Sequence, residues 1–334
     1  MPKCHARREP KWLNPHAVEI FVSYIHVESV IPVMTHQGNI NDNIEADYSR
    51  IVAETDSSRF LPGSPIEIIR SVNFPGPPEY ALFDFDGTLS LIREGWMDVM
   101  IPMMVEVLLE TGTGESNERL HDLVYKFVTE LTGKQTIYQM IRLKEEVALR
   151  GGTPADPLDY KREYHNRLME RITSRREGLR TGRNTPTDML IPGSTELLDA
   201  LKQRGVQMYL ASGTDEHYVH EEAALLEIDS YFGENIYGAV DDYQSFSKAQ
   251  VIRNILNNED VVPSKLVGFG DGYVEILNVK EAGGMAVGVA SDEAGRSGKP
   301  DVWKRERLIG VGADLIVPDF RHHEDLIEYL WPSR

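Results

Sequence analysis

At 334 residues and 41% hydrophobic content, the chain can bury the core of one large domain with an insertion, or of two domains. Its 53 acidic against 35 basic residues give a formal charge of −18, which excludes a nucleic-acid partner bound in the usual way, through a basic face; a small anionic ligand at a local positive site is still compatible. The one cysteine, Cys4, cannot form an internal disulfide, and the opening MPKCHARREPKW lacks the apolar segment of a secretion signal, so a reducing cytoplasm is the expected compartment.

Residues 1–79 read as an N-terminal extension and linker. The β-branched stretch VEIFVSYIHVESVIPV leads into the polar HQGNINDNIEAD and ends in NFPGPPEY, a Pro/Gly cluster with linker composition. The apolar run over residues 18–34 is interrupted by Glu19, His26, Glu28 and Pro32, so no membrane segment is expected. His5, His16, His26 and His36 lack the close ligand pairs of a metal site and read as surface or packing residues. Since every cluster that carries chemistry lies beyond this linker, residues 1 to about 75 are expected to be dispensable for catalysis.

From Glu79 onward short apolar runs alternate with helical patterns: YALFDF, GVQMYLAS, ENIYGAV, SKLVGFGD, GGMAVGVAS and ADLIVPDF. That rhythm predicts an α/β fold with a Rossmann-like parallel sheet, drawn from residues 80–90 and 188–334. Between the first two strands, residues 91–187 contain no convincing strand and read as an inserted helical domain. Trp96, Val99, Met100, Met103 and Val107 form an apolar stripe, and further helices are predicted over ERLHDLVYKFVTELTG, TIYQMIRLKEEVALRGG and DYKREYHNRLMERITSRRE, the charged faces of the last being solvated. In the core, STELLDALKQRG puts Leu197, Leu198 and Leu201 on one side and ends at Gly205, while SKAQVIRNIL buries Val251, Ile252, Ile255 and Leu256.

Ligands of an open parallel sheet gather beyond the carboxyl ends of its strands, where helix N-termini and loop amides converge. Four clusters fall at such ends: DFDGT after YALF, bringing Asp84 and Asp86; Ser212, Gly213 and Thr214 after QMYLA; Lys248 at the head of SKAQVIRNIL; and GDGYVE after KLVGF, bringing Asp271 and Glu275. Buried acids at a strand end need compensation by a metal, a lysine or loop amides. These residue types suit phosphoryl transfer: oxygen ligands from Asp84, Asp271 and Glu275 suit Mg²⁺, which offsets the repulsion between a carboxylate nucleophile and a phosphate.

DFDGTLS, ASGT, Lys248 and GDGYVE, in that order, resemble the four motifs of the haloacid dehalogenase superfamily of phosphohydrolases, over residues 80 to about 320. The inserted helices resemble the cap of its phosphoglycolate phosphatase and β-phosphoglucomutase branch. The resemblance implies a Mg²⁺-dependent phosphatase acting on a small phosphorylated metabolite, a sugar phosphate or a phosphoglycolate-like ester. It further implies that Asp84 attacks phosphorus, and that Asp86 protonates the leaving oxygen and then deprotonates water. Ser212 and Gly213, with Thr88 in the first loop, would bind the phosphoryl group, and Lys248 would neutralise charge. Mg²⁺ would be held by Asp84, Asp86 through its backbone carbonyl, Asp271 and Glu275. In the cap, the turn TGKQT offers Lys134 and Gln135 as specificity residues, an ordinary interhelical turn being the alternative. Lys248 stands in SFSKAQ where a Lys-Pro pair is common in that branch, and Glu275 stands where Asp is common, which favours a water-mediated or lysine-directed contact for Glu275 over direct metal ligation. Two other readings stay open: a sugar-phosphate mutase, whose cap excludes water so that the phosphoryl group returns to bound substrate, and a phosphate-binding scaffold without turnover. GFGDG lacks the G-x-G-x-x-G spacing and no P-loop occurs, which sets dinucleotide and P-loop kinase readings aside.

Overall fold

The eight strands found among the described residues are β1 (Arg59–Phe60), β2 (Glu67–Ile68), β3 (Tyr80–Phe83), β4 (Gln207–Asp215), β5 (Ile236–Ala239), β6 (Leu266–Gly270), β7 (Met285–Val289) and β8 (Leu315–Val317). They form one sheet in the order β1-β2-β8-β7-β6-β3-β4-β5. The computed structural model describes residues 48–52, 59–71, 76–240, 242, 244–258 and 262–332; Cys4, the four spaced histidines and the run over residues 18–34 lie outside them. The six apolar runs read from the sequence are the six strands β3 to β8, all paired in parallel.

Strand β3 sits at the middle because both of its faces are apolar. Ala81 and Phe83 join one core cluster and Leu82 the other, which is the alternation of a strand buried on both sides. The Phe83 and Phe269 rings stack at 4.5 Å and bind β3 to β6. From β3 the chain proceeds to β4 on one side and later to β6 on the other. The loops leaving β3 and its neighbours therefore diverge and open a crevice at the strand ends.

Four helices lie between β3 and β4: α1 (Met97–Leu109), α2 (Asn117–Glu130), α3 (Thr136–Leu149) and α4 (Pro157–Arg180). They form the helical cap. The α1 stripe is real but wider than the spacing suggests, with Ile101, Met104, Val105 and Leu108 buried alongside Met100 and Met103. The charged faces of α4 are not simply solvated. Arg176 is buried and its Nη2 lies 2.5 Å from Glu221, so this face docks on the core. The remaining helices are α5 (Ser194–Gln203), α6 (Glu216–Leu225), α7 (Asp229–Phe232), α8 (Lys248–Asn258), α9 (Tyr273–Glu281), α10 (Val302–Gly310) and α11 (His323–Leu330). No helix of the described residues is long and apolar enough to cross a membrane.

Part of the segment read as an extension belongs to the core sheet. Strand β2 pairs antiparallel with β8, Ile66, Ile68 and Ile69 are buried, and the buried Glu67 carboxylate accepts a hydrogen bond from Arg305 Nε at 2.7 Å. Residues 59–68 thus add two strands to the edge of the sheet that the sequence did not show, because strands of two residues carry no alternation for a sequence pattern to reveal.

Candidate active site

Asp84 continues the β3 ladder by one residue, its N–H donating to the Phe269 carbonyl at 2.9 Å. Its carboxylate thus starts from a fixed strand end. Lys248, the first residue of α8, places Nζ 2.8 Å from Asp84 Oδ1 and 2.9 Å from Glu275 Oε2. Glu275 in turn accepts the Gly272 N–H at 2.6 Å on Oε1, capping the start of α9. Burial pushes the Asp84 carboxyl well above the usual range; Lys248 opposes that, and Glu275 and Asp271 add to it. For Lys248 burial favours the neutral amine, but Asp84 and Glu275 outweigh it and hold the ammonium charged.

Asp86 occupies a different environment. Its Oδ2 accepts hydrogen bonds from Thr214 Oγ1 at 2.8 Å and Ser212 Oγ at 3.4 Å. Its buried Oδ1 has no hydrogen-bond partner among the described residues, with Arg93 Nε the near cation at 3.9 Å. Arg93 is itself held by the fully buried Glu222, through Nε at 3.0 Å and Nη2 at 2.9 Å. Burial pushes the Asp86 carboxyl up to about 6, against the pull of Arg93. Burial thus raises both acids, and what separates them is their partners: a lysine ammonium for Asp84, hydroxyls and a more distant guanidinium for Asp86.

Ser212 and Gly213 do not follow the end of a strand, as the sequence suggests: β4 runs on to Asp215, and its pairing with β5 shifts register between Ala211 and Asp215. The irregularity turns Ser212, Gly213 and Thr214 toward the cavity, which all three line. Thr88 does not reach that cavity. It is fully buried and ties the first loop to the fourth: Oγ1 accepts the Asp271 N–H at 2.9 Å and lies 3.3 Å from Asp271 Oδ1. Gly87 has φ +75°, and a β-carbon there would strike the Asp271 carboxylate, so glycine is required for these loops to meet.

Asp84, Asp271 and Glu275 each offer one oxygen within 4.8 Å of the others. Three hard oxygens and a surplus of buried negative charge fit a divalent cation such as Mg²⁺. Within that set Glu275 is already committed on both oxygens, to Lys248 and to the Gly272 amide. Asp271 Oδ2 is 2.8 Å from Lys304 Nζ, which also donates to Ser291 Oγ at 2.9 Å and Glu293 at 2.6 Å.

The cap closes the site to a cavity of about 110 Å³. Lys134 lines it, whereas Gln135 turns away and donates through Nε2 to the Phe246 carbonyl at 2.8 Å, two residues before Lys248. Arg93, Gln139 and Tyr164 line the cavity without having been legible in the sequence, as do Trp96 and Met100, which read there only as helix packing. Arg93 and Lys304 stand outside the four motifs, and only their burial as cations marks them.

A family model described as haloacid dehalogenase-like hydrolase matches residues 79–283, more than half of the chain and all four clusters. The chain belongs to that family. It is 25% identical over 252 residues to a phosphoserine phosphatase of Archaeoglobus fulgidus, covering 72% of this chain and 61% of that protein. It is 30% identical over 97 residues to a 5′-nucleotidase of Pseudomonas aeruginosa, covering 29% of this chain and 43% of that protein. The chain thus spans about three fifths and two fifths of the lengths of these two relatives. Among solved structures it resembles a β-phosphoglucomutase of Clostridium difficile, with a TM-score of 0.50 and 16% identity over 76% of this chain and 97% of that one, a likeness of fold.

Proposed function

We propose that the protein is a Mg²⁺-dependent phosphatase of a small phosphorylated metabolite, a sugar phosphate or a phosphoglycolate-like ester. The observation that carries this reading is the division between the two acids: Asp84 ion-paired to Lys248 at 2.8 Å, and Asp86 with a buried Oδ1 that accepts no hydrogen bond from the described residues, on the same cavity. In the first step an Asp84 oxygen bonds to phosphorus while the ester P–O bond breaks, and the departing oxygen takes its proton from Asp86. In the second, Asp86 takes a proton from water, the water oxygen bonds to phosphorus, and the acyl phosphate P–O bond breaks to return Asp84. Lys248 neutralises the nucleophile and the transferring group, Ser212 and the Gly213 amide hold the phosphoryl oxygens, and Glu275 and the Thr88 hydroxyl act behind them by fixing Lys248 and Asp271. Asp84, Asp271 and the Asp86 carbonyl would hold Mg²⁺, which would supply positive charge for the phosphoryl oxygens.

A cavity of about 110 Å³ is well below the roughly 300 Å³ at which drug-sized ligands begin to fit, which supports a small alcohol half over a hexose bisphosphate. Lys134 is the specificity candidate that reaches the cavity. The test is phosphate release from a panel of small esters with Mg²⁺ and after exhaustive chelation. Activity that survives chelation, or an isomerised product needing a bisphosphate activator, would overturn the proposal.

A further inference from the structure

The segment before β3 reaches the site through one guanidinium. Arg307, on α10, lies 3.9 Å from the ring centre of Tyr48, 4.8 Å from that of Trp303 and 5.4 Å from that of Tyr273. The Tyr48 and Tyr273 rings meet edge to face at 5.5 Å and 76°. A planar cation stacked among three aromatic rings is restrained in its orientation.

Arg307 and Trp303 share α10, and the other members of this stack belong to different parts of the protein. Tyr273 is buried and opens α9, two residues after Asp271. Arg307 Nη2 donates to the Glu130 carbonyl at 3.4 Å, at the C-terminus of cap helix α2, where backbone carbonyls carry negative partial charge and lack intrahelical partners. Four residues on, the chain becomes the cap turn at Lys134 that lines the cavity. Tyr48 belongs to a short irregular segment fastened to α10 on its own account: the Ile51 and Val52 amides donate to the Gly310 carbonyl at 2.9 and 3.0 Å. A β-carbon on Gly310 would lie 2.7 Å from the Tyr48 hydroxyl, so a glycine there admits the ring.

We propose that Arg307, caged by Tyr48 of the N-terminal segment, is a positioning residue for the reaction: the stack keeps the closed cap turn at residues 131–136 in register with the Asp271 loop. This rests on the phosphatase reading for its kinetic consequence but not for its structural one. Neither side chain touches the cavity, so the effect passes through the two loops they brace. A shift of about an ångström in either loop is enough to lower turnover by tenfold or more.

The experiment uses full-length protein, wild type and the variants Tyr48→Ala, Tyr48→Phe and Arg307→Met. It reads kcat and KM for para-nitrophenyl phosphate with Mg²⁺, and amide hydrogen exchange by mass spectrometry. The expected result is a kcat about tenfold lower for Tyr48→Ala and Arg307→Met, with Tyr48→Phe restored because it keeps the ring. Exchange in residues 131–136 and 271–275 should rise about threefold or more in the two impaired variants while the central strands stay protected. Unchanged exchange in those windows, or a uniform rise across the protein, would overturn the proposal. A wild type that hydrolyses no ester would sink the phosphatase reading instead, and the exchange result would then decide the role of the stack alone.

Discussion

At the residue scale, the two acids of the first loop are separated by environment rather than by identity. Asp84→Asn is expected to abolish turnover of every ester, since an amide neither attacks phosphorus usefully nor binds Mg²⁺ well. Asp86→Asn leaves the nucleophile but removes the proton carrier, so alkyl esters should suffer more than aryl ones, and a phosphoryl group should accumulate on the peptide containing Asp84, read by mass spectrometry. A phosphoryl group on residue 86 in the wild type would reverse these assignments. The same acid makes a prediction about stability. Burial raises the Asp86 carboxyl from 3.8 to about 6, so the folded state favours its protonated form; its contribution is fully present below about 4 and is lost as pH rises through about 6. Asp86→Asn removes that titration. In chelator, its melting temperature relative to wild type should therefore climb between pH 4 and 7 and level off above; a flat difference would show that burial does not set this proton.

At the element scale, cap closure depends on close backbone approach. A β-carbon on Gly272 would lie 2.9 Å from the Gly133 Cα and 2.9 Å from Glu275 Oε1, while φ −91° is tolerated by alanine. Gly272→Ala should therefore displace the cap turn and disturb the Glu275–Lys248 contact, raising KM and lowering kcat for a small ester several-fold each. Wild-type kinetics in that variant would mean that the turn closes differently. Gln135→Ala tests the neighbouring contact: losing the hydrogen bond to Phe246 should weaken closure for all substrates alike, because that amide faces the core backbone and not the cavity. A change in substrate ranking would instead make Gln135 a specificity residue.

At the scale of the whole molecule, the sheet is completed from a segment that looks detachable. Ile66 is buried in the larger core cluster, so Ile66→Ala should cost about 2–4 kcal/mol in urea unfolding, a large share of a typical domain's stability. Removing residues 1–75 strips β1 and β2 from β8 and leaves its edge open, and the truncated protein is expected to aggregate or melt far below the full chain. A truncated protein melting within about 2 °C of the full chain would show that the hairpin adds little.

The sequence by itself determined the six parallel strands, the helical insertion and the four clusters with Asp84, Asp86, Lys248 and Asp271, because strand runs and turn residues are local patterns and the clusters lie at strand ends whatever the packing. It also brought Glu275 to the site, through its distance from the start of a helix. Only the tertiary structure decided the partners of those residues. Of the contacts the sequence left open for Glu275, the fold chose Lys248, and it brought Thr88 to Asp271 and Gln135 to Phe246, in each case by where segments far apart in the chain come to rest. Arg93 illustrates the reason most plainly: its partner Glu222 is 129 residues away, and no spacing along a chain encodes a contact made by the closing of one layer on another.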